Sequence, residues 1–91
     1  MAKTPPVEIV FNRTATARLI YMPQSQARAA RDVLIQVAAD PGFRHNQLKP
    51  LKGVKGGFRF RTGNWRVSFT LDRRAGVLEV FEIAPRGSAH R

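Results

Sequence analysis

Apolar residues recur along the chain at two spacings, and the change from one to the other divides it in half. Val7-Glu8-Ile9-Val10-Phe11 is a β-branched, half-alternating run behind Pro5 and Pro6, which predicts a strand. Asn12 is placed to cap a helix that begins near Arg13 and carries Ala15, Ala17, Leu19 and Ile20 to about Tyr21. Pro23 punctuates the chain, because proline is tolerated in a first helical turn and not in an interior. From there to Asp40, Ala27, Ala30, Leu34, Val37 and Ala38 form one apolar stripe at helical spacing, with Gln24, Arg28, Arg31 and Asp32 largely off it. Asp40-Pro41-Gly42 ends this second helix. Two helices joined so tightly are expected to form an antiparallel hairpin.

Residues 43–56 read as a basic, glycine-rich loop. The period then becomes two. Phe58-Arg59-Phe60-Arg61 alternates strictly, Thr62-Gly63-Asn64 is a turn, and Trp65, Val67, Phe69 and Leu71 share one face of the next strand. Asp72 to Gly76 is a second turn. Val77 to Ile83 is almost continuously apolar, the pattern of a central strand covered on both sides. Short turns require antiparallel neighbours. The expected architecture is α+β in a single domain over residues 1–91. An N-terminal strand and a helical hairpin are followed by a three-stranded antiparallel meander, with the hairpin over one face of the sheet.

Charge sharpens this picture. The chain has 91 residues and a formal net charge of +10, extreme for its length, which points to a polyanionic partner. Eleven of its 16 basic residues lie after residue 43, so the polyanion site is expected in the second half. Disorder does not fit a chain that is 43% hydrophobic. The absence of cysteine removes disulfide frameworks, thiolate zinc sites and thiol nucleophiles. Two histidines and no acidic cluster argue against a metal site, and no cofactor is expected. No apolar run approaches the ~20 residues of a spanning helix, and the N-terminus lacks a signal-peptide core, so a cytoplasmic protein without a membrane partner is expected.

Strand alternation then assigns faces. If Phe58 and Phe60 point at the helices, Arg59, Arg61 and Arg66 crowd the opposite face. Like charges that close cost energy unless an anion neutralises them. Arginine also grips phosphate through a planar fork. The three are either solvated strand residues or an anion site. Arg86 follows the last strand, and His90, four residues on, is either a terminal residue of no function or a proton carrier near neutral pH. His45 has no evident partner, Tyr21 is expected to pack rather than react, and the parity of Trp65 assigns it to the core. Glu79 and Glu82, three apart, are expected on opposite faces of one strand, so paired carboxylates are lacking. Gly53-Val54-Lys55-Gly56-Gly57 lacks the spacing of a phosphate-binding P-loop. The second helix carries only Arg28 and Arg31 as base readers, too few for a helix-turn-helix.

In order and spacing these pieces resemble the RelE/ParE toxin superfamily of bacterial toxin–antitoxin systems. The resemblance spans Val7 to His90 and is sharpest in LKPLKGVKGGFRFRTGNWRVSF, which starts at Leu48, and in VFEIAPRGSAHR at the end of the chain. Members commonly show a Leu-Lys/Arg-Gly step, an aromatic-basic-X-basic strand, a short turn, an aromatic-Arg-Val step and an arginine-containing tail. RelE-type members are mRNA interferases that cut mRNA in the ribosomal A site without a metal, by attack of the 2′-hydroxyl on the neighbouring phosphate. The resemblance implies that Arg59 and Arg61, with Lys52 and Lys55, hold RNA phosphate. Arg66 and Arg86 would stabilise charge on the scissile phosphate. Many relatives carry a tyrosine in the tail where this chain has His90, which suits proton transfer at neutral pH better than a phenol.

The resemblance also implies partners: the ribosome and mRNA, and an acidic, DNA-binding antitoxin that covers the basic face. ParE-type members instead block DNA gyrase by protein–protein binding, which makes gyrase the alternative partner. A non-enzymatic RNA-binding module is a third reading, but it would expose aromatics on the basic face, and their parity puts them in the core.

Overall fold

β1 (Glu8–Phe11) leads directly into α1 (Arg13–Leu19) and α2 (Gln24–Ala39), and β2 (Lys49–Pro50), β3 (Gly57–Thr62), β4 (Trp65–Asp72) and β5 (Val77–Pro85) follow. The computed structural model describes residues 7–40 and 48–85. The strands form one sheet in the order β1-β5-β4-β3-β2, antiparallel except where β1 runs parallel to β5.

The start of α1 is fixed by its cap. The Asn12 side-chain oxygen accepts from the backbone N–H of Ala15 at 2.8 Å, which satisfies one of the unpaired donors of the first turn. The same side chain donates to the Phe81 carbonyl at 3.3 Å, and the Asn12 backbone N–H donates to Val80 at 3.0 Å. One residue therefore ties the first helix to β5.

The helical stripe and the strand alternation meet in a single apolar layer. Leu34, Phe60, Val67, Phe69, Leu78 and Val80 are fully buried there, with Ala30, Val37 and Ala38 of α2 beside them. Phe58 stacks on Phe69 with ring centroids 5.8 Å apart, and Phe60 lies tilted against the same ring. Trp65 packs at the edge of this layer, on the face its parity predicts. Both helices thus cover one face of the sheet, and among the described residues no helix covers the other. The small side chains of Ala27 and Ala30 leave a cleft of about 230 Å³ over the sheet, walled by Ile9, Phe11 and Leu34 and bordered by Arg31.

Three expectations are corrected. The segment taken as loop contains β2, two residues that pair with β3 at Arg59 and Phe58, so the sheet has five strands rather than four. β5 is interior to the sheet but covered on one face only, since Glu79 and Glu82 are exposed on the other. Tyr21 does not pack: α1 stops at Leu19, and Tyr21 stands 70% exposed in the turn before Pro23.

Candidate nucleic-acid interface

The open face is organised by the β3–β4 hairpin. Gly63 has φ +60°, and Thr62 and Trp65 close the loop as a cross-strand pair. A two-residue loop with glycine first matches the twist of the flanking strands. A side chain at Gly63 would also strike the carboxamide of Gln26. The Thr62 hydroxyl donates to the Gln26 carbonyl at 3.4 Å, so α2 holds the turn from above. With the turn fixed, the register of every residue behind it is fixed too.

That register places Arg61 directly opposite Arg66 and Arg59 opposite Ser68, while Lys49 of β2 lies opposite Arg59 on its other side. Cross-strand partners share a face with Cβ atoms about 4.5–5.5 Å apart. Four cations therefore occupy a patch three strands wide. Arg59 and Arg66 are half-buried and Arg61 and Lys49 are exposed. The Arg66 Nε is buried and has no hydrogen-bond partner. A buried guanidinium N–H without an acceptor carries its desolvation cost uncompensated, which an incoming anionic oxygen would relieve. Ser68, 3% exposed, is a small buried side chain in the row beside Arg59.

The sequence-predicted residues divide accordingly. Arg59, Arg61 and Arg66 come together as alternation requires. Lys52 and Lys55 are exposed in the turn that precedes Gly57, at the far end of β3. Four residues of strand, roughly 13 Å, separate Gly57 from Arg61, so these lysines border the patch and do not join the Arg61–Arg66 pair. Arg86, His90 and His45 lie outside the described residues. Pro85, the last described residue of β5, lies opposite Trp65, the neighbour of Arg66.

Two residues of this face were missed. Lys49 sits in a strand of two residues, one of them proline, too short to show a period. Glu82 is the second, because it was expected on the face opposite Glu79 and instead shares one with it. The β4–β5 register slips between Ser68 and Phe69: Ser68 pairs with Glu82 but Phe69 pairs with Val80, which leaves Phe81 as an extra residue. Thr70 pairs with Glu79, and Ser68 and Thr70 are two apart on one face, so Glu79 and Glu82 both lie on the open face. The expectation of opposite faces assumed unbroken alternation, and the bulge breaks it. The face is consequently sorted by charge, with cations on β2, β3 and the start of β4 and carboxylates on β5.

Chemically, such a face can bind a phosphate between arginine forks and stabilise negative charge that grows on it. Among the described residues no three acidic or histidine side chains cluster as metal ligands. Also among them, no helix is long and apolar enough to cross a membrane.

No protein-family model matches the chain, and no curated protein matches it. Solved structures do. The RelBE2 toxin–antitoxin complex of Mycobacterium tuberculosis aligns with a TM-score of 0.69 at 22% identity, over 94% of this chain and 98% of that one. The archaeal RelE–RelB complex of Pyrococcus horikoshii aligns with a TM-score of 0.75 at 19% identity, over 91% and 98%. A mutant E. coli RelE toxin in the free state gives a TM-score of 0.75 at 14% identity, over 94% and 90%. The chain shares the fold of these RelE structures over nearly their full length.

Proposed function

We propose that this protein is the toxin of a toxin–antitoxin pair and a metal-independent endoribonuclease that cuts mRNA on the ribosome. The observation that carries the reading is the Arg61–Arg66 pair on the open face, like charges held opposite each other with a buried Arg66 Nε that lacks an acceptor. A scissile phosphate supplies that acceptor and neutralises the pair. As the 2′-hydroxyl attacks, charge builds on the phosphoryl oxygens, and fixed guanidinium groups stabilise it more in the transition state than in the ground state. Arg59 and Lys49 hold the neighbouring backbone, and Lys52 and Lys55 extend the track towards the β2–β3 turn. Arg86 and His90 complete the site in this reading, as a second charge-stabilising arginine and the proton donor to the departing 5′ oxygen.

The likeness to RelE structures solved with RelB antitoxins supports a cognate antitoxin as second partner. A net charge of +10 calls for an acidic one. The apolar cleft bordered by Arg31 suits an apolar segment carrying a carboxylate.

The test uses purified protein and ribosomes programmed with a defined mRNA. The expected result is toxin-dependent breaks in the ribosome-bound message, with cyclic phosphate at the new 3′ ends and hydroxyl at the 5′ ends. Intact message, with stoichiometric inhibition of gyrase supercoiling in a parallel assay, would replace this reading with that of a gyrase inhibitor.

A further inference from the structure

The bulge at Phe81 moves a carboxylate into the basic face, and that carboxylate lies in line with the phosphate-binding arginines. Arg59, Ser68 and Glu82 form one continuous row across β3, β4 and β5. Arg66 pairs with Ala84, so Glu82 is its diagonal neighbour two residues along β5. Diagonal neighbours lie about 7–8 Å apart at Cα, within reach of long side chains. Glu82 is exposed, and among the described residues no ion pair engages it. Between it and Arg59 stands only the small Ser68. A scissile phosphate held at Arg66, with the neighbouring backbone at Arg59, would therefore have a free carboxylate beside it.

Cleavage by 2′-hydroxyl attack needs a group that takes a proton. Guanidinium groups cannot do so, because they stay charged and offer no lone pair. Lys49 ends the same row on β2, on the far side of Arg59 from Glu82. Glu79 lies further along β5, opposite Thr70, where the face carries no arginine.

We propose that Glu82 is the general base of the cleavage reaction. The inference rests on the RNA-cutting reading above. The Glu82 carboxylate takes the proton of the 2′-hydroxyl while O2′ forms its bond to phosphorus. The bond from phosphorus to the 5′ oxygen breaks, and that oxygen takes up a proton as it leaves. The products are a 2′,3′-cyclic phosphate and a 5′-hydroxyl, and Glu82 returns its proton to solvent. The charged groups facing Glu82 are Arg59 from β3, Arg66 from β4 and Glu79 along β5. On the same face of β1, Val10 is the nearer residue and Glu8 stands at the strand's start.

The experiment compares wild type, Glu82→Gln, Glu82→Asp and Glu79→Gln in single-turnover cleavage on programmed ribosomes, across pH, with ribosome binding measured alongside. Loss of a general base is expected to slow cleavage about 100-fold or more. Glu82→Gln is expected to do so while binding stays equal or tightens, since a negative charge leaves a basic face. The acid limb of the wild-type pH–rate profile is expected to vanish in this variant. Glu82→Asp is expected to recover part of the rate, and Glu79→Gln to stay within a few-fold of wild type. Glu82 is exposed, so folding is not at stake. Wild-type cleavage matched by Glu82→Gln overturns this inference and leaves the ribonuclease reading standing. Equal losses in Glu82→Gln and Glu79→Gln overturn it as well, by showing a general charge effect. Absence of cleavage by wild type overturns both.

Discussion

Replacing Arg61 with glutamate is expected to stabilise the free protein and to abolish its activity. Arg61 faces Arg66 across the β3–β4 ladder, with no carboxylate in their row of β3 and β4. Charges about 6 Å apart repel by about 0.7 kcal/mol in bulk water. At physiological ionic strength, with a Debye length of about 8 Å, roughly half of that remains. Reversing one sign turns this repulsion into an attraction of similar size. The net gain is about 0.6–1.4 kcal/mol between physiological and low salt, consistent with measured cross-strand pairs of about 0.2–1 kcal/mol each. Arg61 is exposed, so screening sets the lower figure as the better guide near physiological salt. For a domain of this size the gain corresponds to a rise in Tm of about 2–11 °C. The assay is urea unfolding followed by Trp65 fluorescence, at low salt and at 1 M salt, where the Debye length is about 3 Å. Any difference in strand propensity between arginine and glutamate is present at both salts, so the change with salt isolates the charge term. A stability difference that ignores salt, or a variant less stable at low salt than at high, refutes a strained basic pair.

Gly63→Ala is expected to destabilise more than Gly76→Ala. Both glycines have positive φ, but a Cβ at Gly63 strikes Gln26 while one at Gly76 meets open space. Thus Gly76→Ala bears only the left-handed backbone cost of about 1–2 kcal/mol, and Gly63→Ala adds displacement of Gln26; paired urea titrations that find equal losses would remove the role given to the α2–hairpin contact. Asn12→Ala is expected to cost about 1–2 kcal/mol, because it removes both the helix cap and the link to Phe81. A loss within a few tenths of a kcal/mol by the same titration would contradict that double role.

The fold was legible where side chains repeat over several residues. The stripe from Ala27 to Ala38 and the alternation through Phe58, Phe60, Val67 and Phe69 each offer at least two periods, and both describe the buried layer correctly. Arg59, Arg61 and Arg66 were legible for the same reason, since their face is fixed by the apolar neighbours between them. What failed was structure that repeats nothing. β2 has two residues and takes its identity from pairing with Arg59 and Phe58 rather than from a repeat of its own. The Phe81 bulge is a single inserted residue inside an apolar run, so the run read as a strand covered on both sides. In fact its buried residues Leu78, Val80 and Ile83 change parity midway. The expected separation of Glu79 and Glu82 onto opposite faces fails with it. Tyr21 was read as packed because it follows an apolar helix, but the helix ends two residues earlier.

The functional charge of the protein lies on the open face, and removing one arginine from each face in turn tests that most directly. Arg66→Ala removes a half-buried guanidinium from the open face, and Arg28→Ala removes an exposed one from α2. Both lower the net charge by one. Cleavage of mRNA on programmed ribosomes is measured for each at matched concentration and salt. The prediction is a loss of about 100–1,000-fold for Arg66→Ala, the usual effect of deleting a donor to developing charge, with Arg28→Ala close to wild type. Equal, modest losses in the two variants would contradict the account, because the arginines would then act only through total charge.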